Sequence, residues 1–344
     1  LLDWYGAHAR PLPWRDNPEP YRVWVSEVML QQTRIEAVKP YFARFMEALP
    51  TVGHLARAPE DQVLKLWEGL GYYSRARSLH RAAKDVMEKY GGEIPGTVKG
   101  LLALPGVGRY TAGAVASIAF GEDAAAVDGN VLRVWSRLLC REEDVLSPAV
   151  RKRAEEELAA ALPSGRAGDF NQAIMELGEV VCVPRSPRCG GCPLEDICEA
   201  RALGVEGSLP VKAPKKPRRV EKRTVFWLTC GGKIALRQRP GKGLLAGLWE
   251  PPSCEGWLEG PDALAFLQGW GMRAGDLRAL PPTKHVFSHL EWHMHNWAAQ
   301  VEAPGGGFTW ASPGQLERDM ALPSAFPPEL LALAGMGAAV ENVK

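Results

Sequence analysis

The sequence predicts an all-α domain followed by a smaller α+β domain. Three observations carry this reading. The 344 residues are too many for one ordinary core and comfortable for two. Apolar residues up to about residue 209 recur with helical spacing, and beyond residue 223 the texture turns β-rich. Hydrophobic content of 46% and charged content of 24% exclude a disordered or fibrous chain.

In the first block, Val23, Val28, Ile35 and Val38 keep helical spacing around a polar face. The segments 41–49, 60–69, 74–90, 111–119, 131–139 and 149–162 read the same way, punctuated by Pro50, Gly91-Gly92 and Pro163. Residues 210–223 follow, with seven basic side chains and one acidic, a net of +6 against −3 for 1–209 and −2 for 224–344. A short cationic run broken by prolines reads as a linker, and it also suits a phosphate backbone. After it, 224–229 and 233–237 read as strands joined through Cys230-Gly231-Gly232, a hairpin signal. Residues 262–270 read as a helix and 283–301 as two more strands.

No stretch approaches the ~20 apolar residues that span a bilayer, and no basic-then-apolar leader suggests export. The chain begins at Leu1 without a Met, so a missing initiator or short tag is expected. Four of the seven cysteines crowd into residues 182–198, which suggests a metal site in a reducing compartment rather than a disulfide framework. A cytoplasmic protein with no membrane partner is the expectation.

Cys182, Cys189, Cys192 and Cys198 form C-x6-C-x2-C-x5-C. Four thiolates without a nearby His fit a zinc ion or an iron–sulfur cluster. One short pair flanked by longer loops argues for the cluster, because zinc knuckles usually come as two short pairs. Cys140, Cys230 and Cys254 stand alone and read as core residues.

The run Leu104-Pro-Gly106-Val-Gly108 sits between two helical segments. Gly106 and Gly108 permit positive φ and a close approach of backbone to ligand, and the helix starting at Arg109 points unpaired N–H groups outward. Such a turn holds a phosphate without a side-chain charge, which would let a block of net −3 bind DNA. A tight helix–helix turn with no ligand is the plainer reading.

Two acids stand in contrasting settings. Glu27 lies among Val25, Val28 and Met29 on a predicted helix, where desolvation would raise its pKa and suit a proton donor. Asp128 follows an apolar run and precedes Gly129-Asn130, a turn beside backbone N–H groups in which it would stay ionised. Such a pair suits cleavage of a glycosidic bond, in which the leaving group takes a proton and the sugar gains cationic character. Singly, Glu27 reads as a satisfied helix residue and Asp128 as an N-cap for the helix at 131–139.

The hairpin, the acid after it and the cysteine set together resemble the helix-hairpin-helix DNA glycosylases of the endonuclease III class. The stretches Ser26–Thr33, Gly69–Arg77 and Val127–Val131 narrow the resemblance to the adenine-excising branch. It covers residues 1–209 closely and the rest more loosely. It implies a helical catalytic domain over 1–209 with the helix-hairpin-helix at about 97–120, a basic linker at 210–223, and a Nudix-like lesion-recognition domain over 224–344. It implies a [4Fe–4S] cluster on Cys182, Cys189, Cys192 and Cys198. Residue by residue, Glu27 matches the acid that protonates adenine and handles the water, Asp128 the carboxylate that stabilises the sugar cation, and Asn130 a polar partner near it.

Tyr110 stands where related bifunctional lyases have a Lys, and a Schiff base needs an amine, so a monofunctional hydrolase is implied. Gln32 and Tyr72 match residues that enter the base stack, which suits a void left by a flipped base. Phe287-Ser288-His289 matches a loop that contacts 8-oxoguanine, and a Ser hydroxyl can both donate and accept.

Gly243–Glu250 echoes the start of a Nudix hydrolase region, but no acidic metal-binding helix follows, so nucleotide hydrolysis is not expected. His285, His289, His293 and His295 would suggest a metal if helical. The interleaved Val286, Phe287, Trp292 and Met294 favour a strand pair that scatters the imidazoles. The implied partner is double-stranded DNA with A:8-oxoguanine or A:G mismatches, bound by a monomer. Two rivals stand beside this: a mismatch thymine or pyrimidine glycosylase on the same scaffold, and a catalytically silent DNA-binding relative.

Overall fold

The structure, a computed structural model, describes residues 1–214 and 217–336. The chain divides into two compact units, Leu1–Ala58 with Ser78–Lys215, and Pro59–Arg77 with Lys216–Lys344. The first is helical, as the sequence predicts. The helices Ile35–Ala48, Ser74–Lys89, Arg109–Phe120, Gly129–Leu138 and Pro148–Ala160 fall on predicted segments. Among the described residues, no helix is long and apolar enough to cross a membrane.

Three helices of this unit frame the chemistry. Pro20–Leu30 begins with Pro at its first position, where a missing N–H costs nothing, and buries Val23 through Met29. Arg109–Phe120 buries every side chain from Thr111 to Ser117; its run of Ala, Gly and Ser lets neighbouring helices approach closely. Gly129–Leu138 is capped by Asp128, which accepts from the Asn130 and Val131 amides, and its Val131, Val134 and Trp135 pack against Val150, Ile174 and Leu177. The helix Ala167–Val180 contributes the last two of these apolar residues and packs against Arg109–Phe120 as well.

The hairpin joins Val98–Leu102, capped by Thr97, to Arg109–Phe120. Gly106 has φ of +76°, and a Cβ there would lie 2.4 Å from that of Ser78, so only glycine fits. Gly108 differs from expectation. Its φ is −92° and a Cβ would touch nothing, so positive φ does not explain it. It is the N-cap, and lacking a side chain it leaves the helix N-terminus open.

The second unit carries the β-structure. Its strands are β1 (Arg219–Cys230), β2 (Lys233–Gln238), β3 (Trp249–Glu250), β4 (Ser253–Glu255), β5 (Arg278–Val286), β6 (Leu290–Gln300) and β7 (Thr309–Ala311). The sheet runs β3-β2-β1-β6-β5, with β4 on β1 and β7 on β2. β1 and β2 meet through Gly231 and Gly232, both at positive φ, as the predicted hairpin requires. β1 and β6 pair in parallel from Arg219↔Leu290 to Thr229↔Gln300.

That register corrects the expected linker. Arg219–Arg223 are strand, because the ladder on β6 satisfies their backbone while their charged side chains stand at the surface or on Trp faces. The β5–β6 pair places His285 and His293 on neighbouring strands and His289 in the turn between them. Apolar clusters cover both sheet faces. Trp227, Trp292 and Phe326 belong to one; Phe226, Leu228 and the helix Gly260–Gly269, through Ala263 and Leu267, form the other.

A candidate active site and an iron–sulfur loop

Glu27, Tyr110, Asp128 and Asn130 line one pocket in the first unit, whose empty volume to its open mouth is about 700 Å3. They arrive from three helices, and packing alone brings them together. Tyr110 donates its hydroxyl to Glu27 Oε2 at 2.5 Å across 83 residues of sequence. Asp128 Oδ1 accepts from the Asn130 amide at 2.9 Å and the Val131 amide at 2.8 Å. Its Oδ2 accepts from Asn130 Nδ2 at 3.1 Å, and the same amide group donates to Glu179 Oε1 at 2.8 Å. Arg133 closes the network by donating to Asn130 Oδ1 at 2.8 Å. Buried Asn171 fixes the segment entering Asp128. It accepts from the Ala126 amide at 3.0 Å and donates to the Ala124 carbonyl at 2.8 Å.

Electrostatics follow from this burial. Glu27 is pushed up to about 7, chiefly by burial and further by the Asp128 charge, while the Tyr110 hydrogen bond and the Arg15 charge oppose the shift. A group poised there can give a proton and take one back at neutral pH. Burial raises the Asp128 pKa too, and outweighs the two backbone amides and Arg133, which pull the other way. The Tyr110 hydroxyl lies well above its ordinary value, from burial and then from the Glu27 and Asp128 charges. It therefore acts as a hydrogen-bond donor.

The sequence reading missed the far wall of the pocket. Arg10 and Arg15 both bind Glu176, the former through Nε and Nη2 and the latter through Nη2 at 2.8 Å. Burial pushes Glu176 up, but the Arg10 hydrogen bond and the Arg15 charge outweigh it, and the carboxyl sits below its usual range. The signal was an acid on the apolar face of its helix, between Ile174 and Leu177, but it names no partner. We expect Glu176→Ala to cost about 3 kcal/mol in urea unfolding, the lower end for a broken buried pair because Arg10 is a third exposed.

The four cysteines line a second cavity, with an empty volume of about 320 Å3, between Arg137, Val181 and Pro187. All four are free thiols. Among the described residues, no group of three or more His, Cys, Asp or Glu side chains is set to grip a single ion. Four thiols without a histidine are a donor set that fits an iron–sulfur cluster. Buried Arg137, also unforeseen, donates to Cys182 Sγ at 3.3 Å and to the Val183, Pro184 and Leu209 carbonyls. It organises the loop and offers a charge-assisted contact to a ligand sulfur.

The remaining predicted residues are not among those that line the pocket. Gln32 follows the helix Pro20–Leu30, exposed, with φ of 59°; Tyr72, in the second unit, is 48% exposed with φ of 49°. Positive φ in a Tyr and a Gln is strain of the kind found at functional sites. Phe287, Ser288 and His289 form the β5–β6 turn. Phe287 sits edge-on to Trp292 at 4.9 Å, and Ser288 and His289 are exposed.

Residues 25–160 match the HhH-GPD superfamily of base excision DNA repair proteins, residues 182–198 the iron–sulfur binding domain of endonuclease III, and residues 224–330 the NUDIX domain. The chain is 39% identical over 367 residues to an adenine DNA glycosylase of Homo sapiens, covering 88% of this chain and 67% of that one. It is 34% identical over 399 residues to that of Schizosaccharomyces pombe, covering 92% and 85%. Among solved structures it is similar to a thermostable thymine-DNA glycosylase, with a TM-score of 0.54, 30% identity, and 59% of this chain and 93% of that one covered. A trapped endonuclease III–DNA covalent intermediate gives 0.51, 28%, 59% and 92%.

The iron–sulfur match spans Cys182 to Cys198, and the cofactor is a [4Fe–4S] cluster. An enzyme of this kind binds damaged DNA. From these matches and the pocket described above, the chain belongs to the adenine DNA glycosylase (MutY) family of the HhH-GPD superfamily.

Proposed function

We propose that this chain hydrolyses the N-glycosidic bond of adenine mispaired with 8-oxoguanine or guanine in double-stranded DNA, as a monofunctional enzyme that leaves an abasic site. The observation that carries this reading is the convergence of Glu27, Tyr110 and Asp128 on one pocket. Tyr110 occupies Glu27 Oε2, so Oε1 is the oxygen that serves the reaction. Glu27 gives its proton to a ring nitrogen of adenine as the glycosidic bond breaks and its electron pair leaves with the base. Asp128 faces the cationic sugar with charge fixed by two amides and Asn130. Water adds its oxygen to the anomeric carbon and returns a proton to Glu27, restoring the acid.

Cys182, Cys189, Cys192 and Cys198 would hold the cluster, whose chemistry here is structural. A cytoplasmic monomer on duplex DNA completes the reading. Gly106 and Gly108 bring backbone amides to a phosphate, Gln32 and Tyr72 fill the stack, and Phe287, Ser288 and His289 read the opposing base.

Among the described residues that line the pocket, none carries an amine that could form a Schiff base. Tyr110→Lys is expected to create one beside the sugar, giving an adduct trapped by borohydride and some strand cleavage. No trapped adduct would remove Tyr110 from its assigned place.

The likeness to a thymine-DNA glycosylase favours a second reading, excision of a mismatched pyrimidine. Single-turnover excision on A:8-oxoguanine, A:G, A:T and T:G duplexes, each with and without alkali, separates the two. Adenine loss opposite the purines alone, with strands intact until alkali, supports the proposal. Thymine loss moves the function to the pyrimidine branch, and tight binding without excision leaves a silent relative.

A further inference from the structure

The segment Pro59–Arg77 belongs to the same unit as the sheet, and its attachment is specific. Lys65 Nζ donates to the Leu316 carbonyl at 2.8 Å, to the Met320 carbonyl at 3.2 Å and to Glu68 Oε2 at 2.5 Å. Glu68 Oε1 accepts from the Leu322 amide at 2.6 Å. One ion pair thus grips three backbone groups of the segment 316–322, which the Ala321 carbonyl ties to the Trp249 amide of β3 at 3.0 Å. Met320 and Leu322 enter the apolar cluster that also holds Phe326, Trp292 and Phe287.

Immediately after Glu68 comes the Tyr72 turn, built on positive φ at Gly69, Gly71 and Tyr72. It is held internally: Trp67 Nε1 donates to the Gly71 carbonyl at 3.1 Å, as does Arg75 Nη2 at 3.0 Å. The Arg75 guanidinium lies 5.5 Å from the ring centres of both Trp67 and Tyr72. The turn is therefore stiff in itself, and it is tied to the rest of its unit by Lys65 and Glu68, by Asp61, which accepts from Gln238 at 3.0 Å, and by Arg77, which donates to the Gly241 carbonyl at 2.9 Å.

We propose that the Lys65–Glu68 pair is a positioning device that couples the Phe287–Ser288–His289 turn to Tyr72. Recognition of the oxidised base then improves the placement of the residue that enters the stack. The route is contiguous: Ser288 adjoins Phe287, Phe287 packs on Trp292, Trp292 on Phe326, and this cluster holds Met320 and Leu322 against the pair. A packed core shifts as a body, so a load on the turn reaches the clamp. The inference rests on the assignment of Ser288 to 8-oxoguanine and of Tyr72 to the stack.

The test measures single-turnover adenine excision opposite 8-oxoguanine and opposite guanine for the cluster-loaded wild type, Lys65→Met, Ser288→Ala and the double variant. Lys65→Met keeps the aliphatic stem and removes the ammonium. We expect it to lower the 8-oxoguanine:guanine rate ratio at least about fivefold through the 8-oxoguanine rate alone, with the guanine rate unchanged. The double variant should fall no lower than the lower single, as coupled residues do. Lys65→Arg, which retains donors, should recover the ratio.

Should Lys65→Met fail to fold, Glu68→Gln replaces it, keeping an acceptor for Leu322 while removing the ion pair. A wild-type ratio in the clamp variants, with Ser288→Ala impaired, overturns the coupling alone. Losses that multiply in the double variant also overturn it. If Ser288→Ala too keeps the ratio, or the wild type has no preference, the reading of the hairpin falls with it.

Discussion

Glu27→Gln should lower single-turnover adenine excision by about 10³-fold while leaving affinity for mismatched duplex near wild type. Gln is isosteric and still accepts the Tyr110 hydroxyl, so the pocket keeps its shape and loses only the transferable proton. The wild-type rate should fall as pH rises through about 7, because the protonated carboxyl is the donor and burial sets its pKa there. The residual rate of the variant should lack that limb. Stability should fall with rising pH as well, over a lower window. Between the ordinary 4.5 and about 7 the folded state keeps a proton that the unfolded chain has released, so Glu27 makes the protein less stable as pH rises across that window. Melting curves should therefore show the variant gaining on the wild type from about pH 4.5 to about pH 7, which reports the burial of Glu27, while the excision rate reports its role. Excision within tenfold of wild type would remove Glu27 from the reaction.

Asp128→Asn separates two roles held by one side chain. Asn caps a helix as well as Asp does, so the amides of Asn130 and Val131 keep their acceptor and the helix Gly129–Leu138 keeps its start. The charge facing the sugar is lost, and excision should fall by about 10²–10³-fold with an unchanged melting temperature. Asp128→Ala removes both and should add about 1 kcal/mol of destabilisation from the missing cap. If the Asn variant keeps both its stability and its excision rate, Asp128 is a cap and nothing more. The cap and catalytic readings of Asp128 are thus compatible: capping is what holds the carboxylate still.

The features read correctly from sequence share a property, which is that their information lies within a few residues. The two-part architecture was visible because helical spacing gives way to β-rich runs. The glycine pair at 231–232 announced a hairpin because few other residues take positive φ. The cysteine spacing limited the ligand chemistry for the same reason, since short loops leave few ways to surround a ligand. The roles proposed for Glu27 and Asp128 come from motif resemblance, and isolated acids would not have suggested them.

What lay outside local information was misjudged or missed. Arg219–Arg223 looked like linker because their charge is local while their partner, β6, lies about 70 residues on. Arg137 and Glu176 are charged groups whose worth depends on which carbonyls, thiols and guanidinium groups surround them.

The sequence by itself determined the helical and mixed-sheet domains, the cluster cofactor and the glycine-dependent turn at Gly106, and it put forward the two acids as candidates. Only the tertiary structure decided that Tyr110 meets Glu27 and that Asp128 is buried deeply enough to have its pKa raised. It also decided that Arg10 and Arg15 are held by Glu176 and that Lys65 and Glu68 grip the segment 316–322. The physical reason is common to all four. Conformational preference and ligand spacing are set by neighbours in sequence, whereas desolvation, ion pairing and long-range hydrogen bonds depend on what packing brings within a few ångströms.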